Sequence, residues 1–457
     1  MPTPFAALIP WVTHTHRGAL TPLALIGLVL VAFVLPSPAA AQMPAPIQDR
    51  PIALVGGTLH TVSDGVIENG TLVFQNGRIT ALGTGAQVQV PSGAEQVDAT
   101  GMHIYPGLID GWSQMGLFEI GGFDVTIDLN ELGPVNPNVR AHVAFHPESR
   151  HIGTTRSNGV LVTLSSPGGG VISGMSAAMM LDGWTWETMT LKPHTGLMVQ
   201  WPNPGNDRIY REGQETLREA FAQARAYKVA REAAEAGGPH VNHDSRWEAM
   251  IPVLDGEIPV VVNASRLKQI RDAVDWAEEE GVPLVILGGG DADLMADELA
   301  RREIPVLLTS VLSAPARNWE PYDHTFGLPA RLHEAGVPFA IVGGSSAPYA
   351  NRLPYEAGVA MAHGLPEEEA VRALTLSPAQ ILGIDERVGS LEVGKDATLL
   401  ITTGNPLEYA TTIERAFIEG RDIDLMDAHR QFYERYSEKV RRMRGVPVSE
   451  EDGIQRD

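Results

Sequence analysis

The middle of this chain alternates short apolar runs with longer amphipathic stretches, and that alternation limits its fold more than any other feature. Apolar runs such as 160–164 and 284–287 are separated by patterns typical of helices, such as 266–280 and 291–302. Apolar strands separated by helices of this length are typical of βα units on a parallel sheet. Repeated over roughly 280 residues, the pattern predicts an α/β fold centred on a (β/α)8 TIM-like barrel.

The segments on either side of this region have a different, β-rich pattern. In residues 51–106, short apolar runs are cut by Gly and Asn, and Asn76-Gly77 between two such runs predicts a tight hairpin. Residues 389–420 continue with the same kind of pattern. We therefore expect the two segments to form a small composite β domain beside a barrel of residues 107–388.

The first fifty residues indicate export. Arg17 precedes an apolar run at 23–35, and the small residues at 39–41 have the A-x-A form of a cleavage site. This predicts a signal peptide over 1–41, a linker over 42–50, and a periplasmic or secreted protein. Because the apolar run is short for a bilayer span, we expect no stable membrane insertion after cleavage. An uncleaved anchor is the alternative.

Charge and cysteine content exclude several classes of protein. The chain has 56 Asp and Glu against 34 Lys and Arg, a formal net charge of -22. Nucleic acid is bound through Lys and Arg that displace counterions, so no nucleic-acid partner is expected. With 0 Cys, neither disulfides nor thiolate metal ligands can form. Residues 421–457 contain a basic helical pattern at 427–444 and a tail that is either disordered or partner-binding.

Four motifs are specific enough to suggest a family. They are Pro106-Gly107-Leu108-Ile109-Asp110, the glycine-rich stretch 169–174, the run 373–379 and the segment 389–397. Together they resemble the amidohydrolase superfamily, specifically its imidazolonepropionase-like branch, over residues 51–420. The resemblance implies a barrel that binds one or two divalent metals, usually zinc, at its C-terminal mouth. There a metal-bound hydroxide attacks non-peptide C–N bonds.

The positions that match the metal ligands and the proton-shuttling aspartate of that family carry other residues in this chain. They are Trp112 and Gln114 after the first strand, Asn263 on the fifth, Gly288 on the sixth, and Ser345 or Ser346 on the eighth. An indole, a primary amide and a glycine replace imidazole poorly as zinc ligands. We therefore predict degenerate metal-ligand motifs, no metal cofactor, and a substrate pocket formed by these six residues.

Three hypotheses of function follow. In the first, the chain has lost its metal site and binds an unknown small molecule, or is the inactive partner of a paralogous amidohydrolase in a homo- or hetero-oligomer. In the second, it is an active hydrolase of C–N bonds with a non-standard site. His142 and His146 are the weak metal candidates for that site, since they are spaced i, i+4, although Pro147 disfavours a helix there. Surface histidines are the simpler interpretation. The third gives the C-terminal helix and tail an interaction role.

Overall fold

The computed structural model describes residues 43–309, 311–344 and 347–444, which form two eight-stranded sheets and the helices that connect them. The strands of the first sheet are β1 (Ile52–His60), β2 (Val66–Gln75), β3 (Arg78–Thr84), β4 (Glu95–Asp98), β5 (His103–Pro106), β14 (Leu399–Thr402), β15 (Ile413–Ile418) and β16 (Arg421–Asp422). Those of the second are β6 (Leu108–Ser113), β7 (Val160–Ser165), β8 (Ile172–Met180), β9 (Thr190–Gln200), β10 (Val260–Ala264), β11 (Leu284–Gly288), β12 (Val306–Thr309) and β13 (Phe339–Val342). The predicted signal peptide, 1–41, lies outside the described residues, as do Ser345 and Ser346.

The first sheet is the separate β domain that the sequence predicts, built from both ends of the chain. Its strand order is β16-β15-β14-β5-β1-β2-β3, with β4 paired to β1. The two ends meet where β14 pairs antiparallel with β5. The predicted hairpin joins β2 to β3, and Asn76 and Gly77 have φ of 52° and 79°, the left-handed geometry of a primed turn. Phe74 and Phe417 pack edge to face in its core, with ring centroids 5.0 Å apart.

The second sheet is the predicted barrel, with one strand reversed. Its order runs from β6 to β13, and β13 lies against β6, so that the sheet nearly closes. Strands β9 to β13 are parallel, as are β6 and β7, but β8 is antiparallel to both neighbours. Only residues 166–171 connect β7 to β8. A parallel crossover needs about a dozen residues or more, so this connection can only make a hairpin.

The helices α1 to α5 are α1 (Ala141–Ala144), α2 (Arg150–Arg156), α3 (Trp186–Met189), α4 (Asp207–Glu235) and α5 (Ser245–Leu254). The next six are α6 (Leu267–Glu280), α7 (Ala296–Arg301), α8 (Leu328–Glu334), α9 (Leu353–Ala362), α10 (Glu367–Arg372) and α11 (Leu376–Leu382). The predicted helix 266–280 is α6, which ends at Gly281 in the left-handed conformation, φ 69°. The predicted helix 291–302 is divided into a 3-10 turn, Ala292–Met295, followed by α7.

The C-terminal helix α12 (Ala428–Arg444) corresponds to the predicted helix 427–444, and it buries none of its residues. Its first turn is attached to the barrel through Ser157, just after α2. Ser157 donates a hydrogen bond from Oγ to Asp427 Oδ2 at 2.8 Å, and its carbonyl accepts one from Arg430 at 3.1 Å. Across the part of the chain that the structure describes, we find no helix both long and apolar enough to span a bilayer.

Candidate functional site at the barrel mouth

Four of the six predicted pocket residues lie where the barrel strands end. Trp112 is the penultimate residue of β6 and Gln114 follows that strand directly, while Asn263 and Gly288 lie at the ends of β10 and β11. These three strands run in the same direction within the barrel. The structure therefore places the four residues at one end of the barrel, its C-terminal mouth, where barrel enzymes have their active sites.

The Trp112 side chain packs onto the apolar interior of the barrel. It is partly buried and contacts a cluster contributed by β9 to β13. The members of that cluster are Met198, Val261, Val285, Leu287, Leu307, Ala340 and Val342. A large aromatic ring buries about 150–250 Å² when it is covered. Trp112 therefore has a packing role at the floor of the mouth, next to the interior of the barrel.

Asn263 forms a side-chain hydrogen bond that sequence reasoning missed. Its Nδ2 donates to Gln200 Oε1 at 2.9 Å, and the two residues are partners across the parallel β9–β10 pair. Both side chains are half-buried. Each amide keeps one further acceptor or donor, Asn263 Oδ1 and Gln200 Nε2. The pair can recognise a neutral polar group such as another amide.

At Gly288 the backbone leaves no room for a ligating side chain. Its φ is 105°, which L side chains rarely adopt. A Cβ there would lie 2.4 Å from Ser265 Oγ and 3.2 Å from the Ala264 carbonyl oxygen. A histidine at this position would therefore be strained, because Ser265 Oγ would have to move and the backbone would keep a positive φ.

Asp110 on β6 is a carboxylate that the sequence indicated only as part of a motif. It is completely buried. Its Oδ1 accepts hydrogen bonds from the backbone amides of Gly343 at 3.0 Å and Trp112 at 3.3 Å. Its Oδ2 has no hydrogen-bond partner among the described residues. Burial raises the pKa of Asp110 to about 7, partly opposed by the two amides, and the charge of Glu356 raises it further.

The two histidines proposed as alternative ligands are separated by the end of a helix. His142 lies in α1, which ends at Ala144, whereas His146 is exposed beyond it and donates its backbone amide to the Gly116 carbonyl. The His142 ring is buried against Trp186 and His194, with centroid distances of 5.4 and 5.5 Å. Burial lowers the pKa of His142 to about 4, so the imidazole is neutral at pH 7.

The donor set at the mouth is a poor fit to zinc. Zinc in proteins is held by several imidazole, thiolate or carboxylate groups. The four predicted positions that the structure describes supply an indole, two amides and a glycine, to which Gln200 adds a third amide and the buried Asp110 a single carboxylate. Within residues 43–309, 311–344 and 347–444, no group of three or more His, Asp and Glu side chains could hold a metal ion. No chemical step at this mouth is therefore assigned to a metal.

Part of this chain is similar in sequence to known proteins, and its fold is similar to that of several solved structures. Residues 222–422 match the amidohydrolase family model. Amidohydrolase tasK of Hapsidospora irregularis is 23% identical over 394 residues, which cover 79% of this chain and 39% of that protein. The chain thus spans well under half the length of that curated relative.

The solved structures give the same fold. An amidohydrolase from Thermotoga maritima MSB8 is 29% identical with a TM-score of 0.75, covering 82% of this chain and 99% of that one. A prolidase complexed with N-methylphosphonate-L-proline shares the fold at 18% identity, with a TM-score of 0.51 and coverage of 82% of this chain and 99% of the prolidase. Residues 222–422 thus match the amidohydrolase family model, and the fold of the chain is similar to that of a solved amidohydrolase.

Proposed function

We propose that this chain is an exported, metal-free binding protein built on an amidohydrolase barrel, acting alone or as the inactive partner of a paralogous amidohydrolase. The observation that carries the proposal is the set of residues Trp112, Gln114, Asn263 and Gly288, of which none is a good zinc ligand and one, Gly288, has a backbone conformation that strains any side chain. The assignment to the imidazolonepropionase-like branch is part of the same proposal.

The chemistry of the mouth indicates the kind of ligand. Asn263 and Gln200 present one acceptor and one donor beyond their mutual hydrogen bond. At the same end of the barrel, Trp112 offers an apolar aromatic surface. The pocket therefore suits a small, neutral molecule with an amide group and an apolar substituent, such as an N-acylated amino-acid amide.

Metal content is the first test. The purified chain, prepared without chelators, should contain far less than one zinc per molecule by elemental analysis. About one zinc per chain, lost when Asn263 is replaced by Ala, would overturn the proposal because it would place an ion at the mouth.

Ligand recognition is the second test, using calorimetry with a panel of N-acetylated amino-acid amides. Asn263→Ala should weaken the binding of any panel member about tenfold, since a lost hydrogen bond is worth about 0.5–1.5 kcal/mol. Gln96→Ala is the matched control, because Gln96 is an exposed amide on β4. Equal weakening by both variants would argue against a site at the mouth.

A second function, hydrolysis through a non-standard site, is favoured by one observation, the pKa of Asp110 at about 7. A carboxylate that titrates near neutral pH is suited to act as a general base. Against this, Asp110 is fully buried, and its Oδ1 already accepts hydrogen bonds from the backbone amides of Trp112 and Gly343. Turnover of the same amides that is insensitive to chelator and abolished by Asp110→Asn would establish this function in place of the first.

Export is proposed from the sequence of residues 1–41. The protein recovered from the periplasm or the medium of its host should begin at Gln42, as determined by N-terminal sequencing. Replacing Ala39 and Ala41 by Leu should leave the precursor uncleaved, because signal peptidases require small residues at these places. A protein that keeps its full N-terminus in the cytoplasm would contradict export.

A further inference from the structure

The C-terminal helix α12 exposes a continuous apolar stripe that nothing in the described part of the chain covers. Its members are Phe432, Tyr433, Tyr436, Val440 and Met443, each between 43% and 77% exposed. Their spacing of three and four residues places them on one face of the helix. Contiguous exposed apolar surface of this kind marks an interaction site in a soluble protein.

The charge of α12 is opposite to that of the rest of the chain. The helix has six Lys and Arg and two Glu, a net charge of +4, in a chain whose total is -22. The remainder therefore carries -26. At about 100° per residue, Lys439 and Arg435 fall on one side of the apolar stripe and Arg444 and Arg430 on the other. Tyr, Phe, Met and Arg are the residues enriched at protein interfaces.

An acidic counterpart with its own exposed apolar side chains follows strand β6. The loop 117–133 exposes Ile120, Phe123, Val125 and Leu132, at 55% to 96%. It contains Glu119, Asp124, Asp128 and Glu131 and no Lys, Arg or His. Loop and helix thus present the same kind of surface with opposite charge.

We propose that α12 of one copy of this chain binds the loop 117–133 of a second copy. Within one copy the two surfaces start from opposite ends of the barrel. The helix is attached at Ser157, just before β7 begins, whereas the loop follows the C-terminal end of β6. In a two-fold dimer with antiparallel barrels, each mouth lies beside the other copy's helix, so both contacts form at once.

The size of the helix is sufficient for such a dimer. Its seventeen residues span about 25 Å. Stable interfaces bury about 800 Å² per partner, and two reciprocal contacts with several aromatic side chains can reach that area. Stripe-to-stripe packing of two α12 helices would bring two +4 charges together, which electrostatic complementarity disfavours. The acidic loop of the second copy is therefore the better partner.

The test measures self-association of the full chain by analytical ultracentrifugation at low and high salt. We expect a dimer at low salt that weakens as salt screens the charges. Phe432→Glu with Tyr436→Glu should weaken it about tenfold or more. Tyr409→Glu is the matched control, since Tyr409 is an 87% exposed tyrosine outside both surfaces.

A charge exchange makes the test specific for a second copy. One variant carries Lys439→Glu and Arg444→Glu, and the other carries Asp124→Lys and Glu131→Lys. The first pair of substitutions lowers the net charge of the helix from +4 to 0, and the second raises that of the loop from -4 to 0. Each variant alone should be monomeric, because the charge attraction is then lost at both contacts. An equimolar mixture should form a heterodimer, in which the unchanged helix meets the unchanged loop at one contact and the introduced Glu and Lys side chains pair at the other. Failure of the mixture to associate would overturn the proposal.

A monomeric wild-type chain at low salt would also overturn it. A second result would overturn it in favour of a membrane surface. In that case the full chain would not self-associate but would bind phosphatidylglycerol vesicles, and the double variant Lys439→Glu with Arg444→Glu would not bind them. Metal content and amide binding at the mouth are independent of this dimer, so its failure leaves the proposed function unaffected.

Discussion

At the scale of single residues, Gly288 shows how the backbone disfavours a ligating side chain at one position of the barrel mouth. We predict that Gly288→His does not restore zinc binding and destabilises the fold. The left-handed φ costs about 1–3 kcal/mol for a non-glycine residue, and the contact with Ser265 Oγ adds an overpacking cost of about 1–3 kcal/mol. Urea unfolding should therefore show a loss of at least about 2 kcal/mol.

Gly281→Ala separates the two costs. Gly281 also has a positive φ, 69°, but a Cβ added there would have no described atom within 4 Å beyond its chain neighbours and its own helix. The unfolding free energy of this variant should therefore fall only by the cost of the positive φ angle. If Gly288→His were no less stable than Gly281→Ala, the contact with Ser265 would have no energetic role.

Asp110 predicts a specific pH dependence. Its pKa in the folded state is about 7, against 3.8 for the free side chain. Between these values the folded state binds a proton that the unfolded state does not, so this group makes the protein more stable as pH falls from 7 to 3.8. Above pH 7 that contribution is absent.

We predict that Asp110→Asn removes this contribution. The difference in unfolding free energy between wild type and variant should change by up to about 1.4 kcal/mol per pH unit below about pH 7. Urea unfolding at about pH 5 and about pH 8 measures it. If the unfolding free energies of the wild type and the variant changed with pH in the same way, Asp110 would not titrate in this range.

Sequence reasoning selected four described positions that lie together at the barrel mouth, and it missed the polar residues near them. Trp112, Gln114, Asn263 and Gly288 were predicted because each replaces a residue of a familiar motif. Gln200 and Asp110 were missed because neither hydrogen-bond partners nor burial can be read from a single sequence. Gln200 could have been predicted as a site residue from its position at the end of an apolar strand, where it pairs with Asn263 on the next strand.

At the scale of elements, local patterns predicted the strands better than their directions. The prediction of a hairpin turn at Asn76-Gly77 is confirmed, because the geometry of such a turn depends on these two residues. The reversal of β8 was missed because apolar runs look alike in parallel and antiparallel strands. The length of 166–171 was the usable clue, since six residues cannot cross over a sheet.

The two sheets are joined by an ion network around Asp182, just after β8. Its Oδ1 accepts from Arg156 at 3.0 Å and its Oδ2 from Arg421 at 2.9 Å, with 2% of its side chain exposed. We predict that Asp182→Ala costs about 3–5 kcal/mol, because it leaves the buried Arg156 guanidinium without its ion-pair partner and Arg421 with only the more distant Glu419, at 3.7 Å. Thermal or urea unfolding measures the loss.

Asp49→Ala is the control for that prediction, since Asp49 pairs with Arg50 at the exposed surface. It should leave stability unchanged, because exposed pairs contribute little. A similar small effect for Asp182→Ala would mean that water or rearrangement compensates the buried arginines.

At the scale of the whole molecule, the barrel is filled from within by apolar side chains. Seven residues from β9 to β13 form this interior cluster, and Trp112 packs on top of it. Such a core supplies stability through buried apolar area, at about 25 cal/mol per Å². These strands are therefore held together by apolar packing in the barrel interior.

This leads to a prediction for stability in the presence of metal. A protein that binds zinc only when folded gains about 2.7 kcal/mol at a zinc concentration about one hundred times its Kd. For this chain, urea unfolding curves measured with a chelator and with added zinc should superimpose. Magnesium serves as the control for non-specific effects of a divalent cation on an acidic protein. A zinc-specific rise in the midpoint that Asn263→Ala abolishes would show that the mouth of the barrel holds an ion after all.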